Sequence, residues 1–199
     1  MSLDPQLVIM AKQPLIGRVK TRLARDIGGP EALRFFRSAS ESLIRRVGYD
    51  PRWRTAIAVS PDRAVHERGI WPDGIPRIGQ GEGDLGARMG RLFRDLPPGP
   101  VVIIGADIPG IERHHIAAAF AALGRSDAVI GPADDGGYWL VGLRRRPRVR
   151  EIFDGVRWSS AETLDDTLKN IRERNMSVAT IATLADIDEG KDLVKWRRG

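Results

Sequence analysis

Asp107 closes the stretch VVIIGAD (101–107), in which four branched apolar residues run into a glycine and then into an acid. A continuous Val/Ile run is the pattern of a strand buried on both faces. An unpaired carboxylate is too costly for such a core, and Pro109 cannot continue a strand ladder. The acid therefore belongs at the rim of a sheet. There it is a hard oxygen ligand suited to Mg2+ or Mn2+, with phosphates and water completing the shell. The alternative is an Asp that caps a helix beginning near Glu112.

Four further stretches carry residues of the right kind. AKQPLIGRVKTRLA (11–24) holds Gly17 and four cations, Lys12, Arg18, Lys20 and Arg22, close to a helix start. Helix-start N–H groups with ammonium and guanidinium groups make a phosphate cradle. The glycine spacing excludes a Walker A loop, and a plain solvated basic loop is the competing reading. QGEGDLGARM (80–89) offers Gln80, which could read a base edge. Gly81, Gly83 and Gly86 there would let backbone approach a flat ligand, and Arg88 adds a cation. Asp84 is as good a helix cap as a ligand contact.

GPADDGGYWLVGL (131–143) places Asp134 and Asp135 before Gly136 and Gly137. Either acid could bind a metal or take a proton from an acceptor hydroxyl, while Asp-Gly is also a plain hairpin turn. Tyr138 and Trp139 serve strand packing more often than ligand stacking. ADIDEGKDL (185–193) puts Asp186 and Asp188 after a strand, and Asp188 is paired with Asp107 as a metal ligand. Asp186 with Glu189 equally reads as a capping box. His114, His115 and Ser159 read as structural, Ser159 as a cap, and no Ser/His/Asp elbow is present.

The elements that must position these residues alternate. Strands are expected at LVIMA, RTAIAVSP, PRIGQ, PVVIIGAD, DAVIG, YWLVGL and SVATIATL. Helices are expected at about 30–47, 84–96 and 112–123, after a Ser159/Glu162 capping box, and near Leu193 and Trp196. Such alternation indicates a three-layer α/β/α fold with a mostly parallel sheet. Ligands then bind outside the carboxyl ends of the strands.

The chain of 199 residues suits one domain, 1–199, with 42% hydrophobic and 29% charged residues. Zero cysteines exclude disulfides and thiolate chemistry, and agree with a cytoplasmic address. No run is apolar enough to span a membrane. A net charge of +6 brings anionic partners into consideration, although arginines scattered along the chain read as a habit of composition ahead of nucleic-acid binding. The dense run Arg144–Arg150 reads as a solvated connection, and no nucleic-acid motif accompanies it.

Together, KQPLIGRVKTRLA, QGEGDLGARM, GADIPGI, GPADDGGYWLVGL with FDGVRWSS, and DIDEGKDL resemble a bacterial family. It is the rSAM/selenodomain-associated transferase 1 group, of the GT-A (nucleotide-diphospho-sugar transferase) fold. More distantly the pattern is similar to guanylyltransferases of deazaflavin and molybdopterin cofactor synthesis. Those begin with a richer glycine loop, where this chain has only Gly17. The resemblance implies a nucleotide pocket at the first loop with Gln80 near the base, and Mg2+ or Mn2+ on Asp107. It also implies an acceptor side lined by residues 134–138 and Trp158. Nucleotidyl transfer from an NTP to a small phosphorylated acceptor is expected, with Lys20, Asp107 and Asp135 as catalytic groups. Glycosyl transfer from a sugar nucleotide is the alternative. A nucleotide-binding regulator without turnover is the third possibility.

Overall fold

A computed structural model describes residues 3–145 and 149–198. Its seven strands are β1 (Gln6–Lys12), β2 (Arg54–Ser60), β3 (Arg77–Gly79), β4 (Val101–Gly105), β5 (Ala128–Pro132), β6 (Tyr138–Leu143) and β7 (Val178–Thr180). The helices are α1 (Thr21–Ile27), α2 (Gly29–Val47), α3 (Leu85–Asp95), α4 (Arg113–Leu123), α5 (Thr163–Glu173) and α6 (Gly190–Arg198). One sheet runs in the order β3-β2-β1-β4-β6-β5-β7. All pairings are parallel except those of β6, which is antiparallel to both β4 and β5.

Strand alternation explains the layering. Leu7, Ile9, Val102 and Ile104 face one way and pack with Leu43, Ile44 and Val47 of α2 and Ile116 of α4. Val8, Val101, Ile103 and Val141 face the other way, against Met89, Leu92 and Phe93 of α3 and Ile171 of α5. Both faces are covered, so the central strands are apolar throughout rather than alternating. Pro30 sits in the first turn of α2 and Gly48 ends it, as their types require. No described helix is long and apolar enough to cross a membrane.

Two local expectations change. The Ser159/Glu162 capping box does not form: Ser159 takes a left-handed φ of 58°, and Glu162 precedes α5 without a side-chain cap bond. The box forms instead at α4, where the Glu112 side chain accepts from the His115 N–H and His115 Nδ1 accepts from the Glu112 N–H. The arginine run is not freely solvated. Arg145 donates to the carbonyls of Leu96 and Pro97, Arg150 to that of Arg174, and Arg144 pairs with Asp127. Residues 146–148 of that run lie outside the described residues.

Candidate functional site

Strand direction brings the distant motifs to one edge. β6 is antiparallel, so its first residue lies at the carboxyl end of β4: Ile104 pairs with Leu140, and Tyr138 with Pro132 of β5. The 133–137 turn therefore opens beside Asp107. Beyond β7, Leu184 bridges to Ala133 and returns the chain to the same edge. Segment 186–190 is then pinned to the first helix. Asp26 of α1 accepts from the Gly190 N–H at 2.7 Å, and Asp192 accepts from the N–H groups of Asp188 and Glu189.

Lys20 lies at the centre. It precedes α1 in a left-handed conformation (φ 45°, ψ 48°), which non-glycine residues adopt only where tertiary contacts hold them. Its side chain is 3% exposed, and its ammonium reaches three carboxylates: Asp186 at 2.8 Å, Asp107 at 3.0 Å and Asp188 at 3.0 Å. Burial alone would lower the Lys20 pKa, but the three acids raise it well above its ordinary value. Burial, then repulsion from Asp107, pushes the Asp186 carboxyl above the usual range despite its bond to Lys20. For Asp188 burial acts in the same direction, yet the Lys20 ammonium and the Arg22 guanidinium, 3.6 Å away, hold it below. Three acids around one ammonium leave an excess of negative charge.

That donor set is made of hard carboxylate oxygens, the kind Mg2+ and Mn2+ take. Among the described residues no three such side chains stand as a ready-made metal cage; here the oxygens converge on Lys20. A divalent ion would compete with that ammonium for Asp107, Asp186 and Asp188.

Two adjoining cavities meet at this cluster. The first, of 390 Å3, has an apolar floor that includes Phe36, Ile104 and Leu140, and a rim of Lys12, Arg18, Arg22 and Arg88. Gln80 also lines it. The second, of 460 Å3, is bounded by Asp135, Gly137, Trp158, Ser159 and Ser160, with Asp186. Asp188, Arg22, Leu85 and Tyr138 border both. Asp107, the first loop and the 134–138 turn thus converge.

Several residues expected to contact ligand have partners within the fold. Asp84 caps α3, accepting from the Ala87 N–H at 2.8 Å, and lies off the wall of the first cavity. Gly81 takes a left-handed φ of 73°, and the Arg91 guanidinium lies 2.1 Å from where a Cβ would stand. Gly86 admits the Trp158 ring, which a Cβ would meet at 2.7 Å. Gly17, Asp134 and Gly136 line neither cavity. Gln80 is buried, and its Nε2 donates to the carbonyls of Ala58 (2.8 Å) and Ala11 (3.3 Å). Oε1 is then the atom turned to acceptance. Asp186 is the residue that pattern reading left out of the site. Its two-residue spacing from Asp188 after a strand was the available signal, and the capping alternative at Glu189 obscured it.

Gly136 has a separate role. At φ 84° its missing Cβ leaves room for the Ala161 carbonyl, 2.3 Å from where that carbon would stand. Its own carbonyl accepts from the Leu164 N–H at 3.0 Å, so the turn is clamped to the start of α5. Gly136→Ala is expected to destabilise by more than about 1 kcal/mol. In thermal unfolding this is a loss of roughly 2–4 °C per kcal/mol. An unaltered melting temperature would show that the clamp is absent.

A family model, described as "Uncharacterized protein conserved in bacteria (DUF2064)", matches residues 43–160. The chain belongs to the DUF2064 family. The matched span of this DUF2064 protein includes QGEGDLGARM, GADIPGI and GPADDGGYWLVGL, while Lys20, Asp186 and Asp188 fall outside it. 2-phospho-L-lactate guanylyltransferase of Methanopyrus kandleri is 28% identical over 102 residues, 50% of each chain. The match spans about half the length of that relative. A protein assigned as a nucleotide-diphospho-sugar transferase from Desulfovibrio desulfuricans G20 superposes with a TM-score of 0.87. That superposition is at 28% identity over all of this chain and 88% of that one. Glucosyl-3-phosphoglycerate synthase of Mycobacterium tuberculosis, solved with Mn2+, uridine diphosphate and glucosyl-3-phosphoglycerate, gives 0.58 at 11% identity. It covers 96% of this chain and 75% of that one, and shares the fold. Homologues and structural neighbours of this DUF2064 chain are thus nucleotidyl- and glycosyltransferases, and its fold is the nucleotide-diphospho-sugar transferase fold.

Proposed function

We propose that this chain is a divalent-metal-dependent transferase. It takes a nucleoside triphosphate in the first cavity and passes the nucleotidyl group to a small acceptor in the second. The observation that carries this reading is the position of Lys20, Asp107, Asp186 and Asp188 on the seam between the two cavities. Asp107, Asp186 and Asp188 would hold the cation, which supplies charge neutralisation on the donor's phosphate oxygens. The chain's own groups do the rest. Phe36 and the strand residues of the floor cover the nucleoside, and Gln80 Oε1 accepts from a base N–H. Lys12, Arg18 and Arg88 pair with the phosphates. Lys20 keeps positive charge at the seam, where the transferred group develops negative charge. Asp135, whose Oδ1 is held by the Gly137 N–H at 2.9 Å, accepts the acceptor's proton.

The cationic rim favours triphosphate chemistry, because leaving pyrophosphate must be held; the similarity to a guanylyltransferase agrees. Glycosyl transfer from a sugar nucleotide stays as the second reading, favoured by the acid-lined second cavity. A thermal-shift series separates the two. With Mn2+, the preferred nucleotide at about 100 times its Kd should add about 2.7 kcal/mol of stability. For a chain of this size that is roughly 5–10 °C, and chelator should remove it. A larger shift with a triphosphate supports nucleotidyl transfer, and a larger one with a nucleoside-diphosphate sugar supports glycosyl transfer. No shift with any nucleotide would overturn both.

A further inference from the structure

We infer that Asp26 is a positioning residue: it fixes Asp186 and Asp188 against Lys20 and so presets both acids for the cation. This rests on the reading above that those acids hold the metal. Asp26 stands exposed in the last turn of α1, a poor place for an acid. The free carbonyls of a helix end carry partial negative charge, and Asp is a weak helix former. A local rule broken in this way points to a gain made elsewhere. The gain is on another element, where Asp26 Oδ2 accepts from the Gly190 N–H at 2.7 Å. A Cβ at Gly190 would lie 3.1 Å from the Asp26 Cβ and 3.2 Å from Oδ2, so any larger residue crowds this contact.

The contact matters because of what stands at the two ends of α1. Lys20 immediately precedes the helix, and Asp26 lies near its far end. Lys20 grips segment 186–190 through the side chains of Asp186 and Asp188, and Asp26 grips it through the backbone of Gly190. One short helix thus spans both attachments and sets the distance between them.

Other contacts of the segment do different work. Ile187, between the two acids, is 3% exposed and packs with Leu23 of α1 and Leu193 of α6. Apolar contact is non-directional, so it keeps the segment close without fixing where the acids point. Asp192 accepts from the N–H groups of Asp188 and Glu189, but it belongs to α6 and moves with the segment. Asp26 ties the segment to the frame of Lys20, against the mutual repulsion of three acids that share one ammonium.

Three variants test this. Asp26→Ala removes the acceptor. Asp26→Asn keeps an acceptor and loses the charge. Gly190→Ala leaves Asp26 in place and crowds the contact. Mn2+ affinity is read without nucleotide, by titration of the paramagnetic signal. Asp26→Ala and Gly190→Ala should each bind about tenfold more weakly, the lower end of the cost of removing support behind a metal ligand. Asp26→Asn should bind nearly as the native protein does. An equal loss with Asn would make Asp26 a source of charge alone and overturn the inference. Thermal unfolding with chelator gives the control. Alanine is the better helix former at both positions, so both alanine variants should melt close to the native protein. A lower melting temperature with unchanged Mn2+ affinity would make the bond purely structural.

The second readout needs no metal. Lys20 and Lys12 are labelled with an amine-reactive ester in chelator and compared by peptide mass. In the native protein the Lys20 side chain, 3% exposed, should be protected relative to exposed Lys12. Asp26→Ala and Gly190→Ala should raise Lys20 labelling towards that of Lys12, and Asp26→Asn should not. Unchanged protection in both alanine variants would overturn the inference. Native protein that binds no Mn2+ would instead strike the proposed function, while the labelling still decides whether Asp26 holds the acids on Lys20.

Discussion

Asp107→Asn is expected to slow transfer by about 1,000-fold, since a metal ligand contributes several kcal/mol of transition-state charge stabilisation. The substitution keeps size and shape but removes the charge that would hold a cation at the carboxyl end of β4. Its effect on folding should have the opposite sign to that of most site mutations. Asp107 is 37% exposed and is one of three acids sharing the Lys20 ammonium. Removing one relieves repulsion, so the melting temperature without metal should stay level or rise, as where function is held against stability. The checks are the transfer rate at saturating Mn2+, Mn2+ affinity by titration of its paramagnetic signal, and thermal unfolding with chelator. Native-like turnover with weakened Mn2+ binding would remove the metal from the mechanism. Unchanged nucleotide affinity, with no product from the native protein, would turn the reading towards a regulator.

Lys20→Met is the second large effect. Methionine matches the aliphatic stem and lacks the ammonium. Loss of one preorganised positive group at developing charge costs on the order of 100–1,000-fold in turnover. Two physical measurements should move with it. Without metal the three carboxylates lose their counter-ion, so the protein should melt lower; breaking a buried pair from one side is destabilising. Mn2+ should then bind more tightly than to the native protein, because the competing ammonium is gone, and should restore more of the lost stability. Lys20→Arg is not expected to rescue turnover: the position is 3% exposed, and a planar fork does not fit where a point charge meets three acids. Unaltered Mn2+ affinity and native turnover together would make Lys20 a structural group alone.

The order of elements was legible because it rests on local patterns. Apolar runs marked the strands, Pro30 and Gly48 bracketed α2, and Asp84 stood where α3 needed a cap. The edge at which the distant motifs meet was legible too, since it follows from alternating strands and helices. The partners of particular side chains were harder to read. Gly81 and Gly86 read locally as ligand-approach glycines, and the fold sets the Arg91 guanidinium and the Trp158 ring against them. Nothing in the local sequence marks where a side chain ten residues away, or one from another loop, will lie.

The chain alone determined a seven-strand α/β layout, an acid at the tip of its central strand, and a basic loop after its first. These depend on periodicity and on residue types within a few positions of one another. Only the tertiary structure decided that Lys20 meets Asp186 and Asp188, 166 and 168 residues further on. It also decided that β6 runs backwards and so opens its turn beside Asp107. Coulombic contacts depend on distance in space, which strand order and direction set.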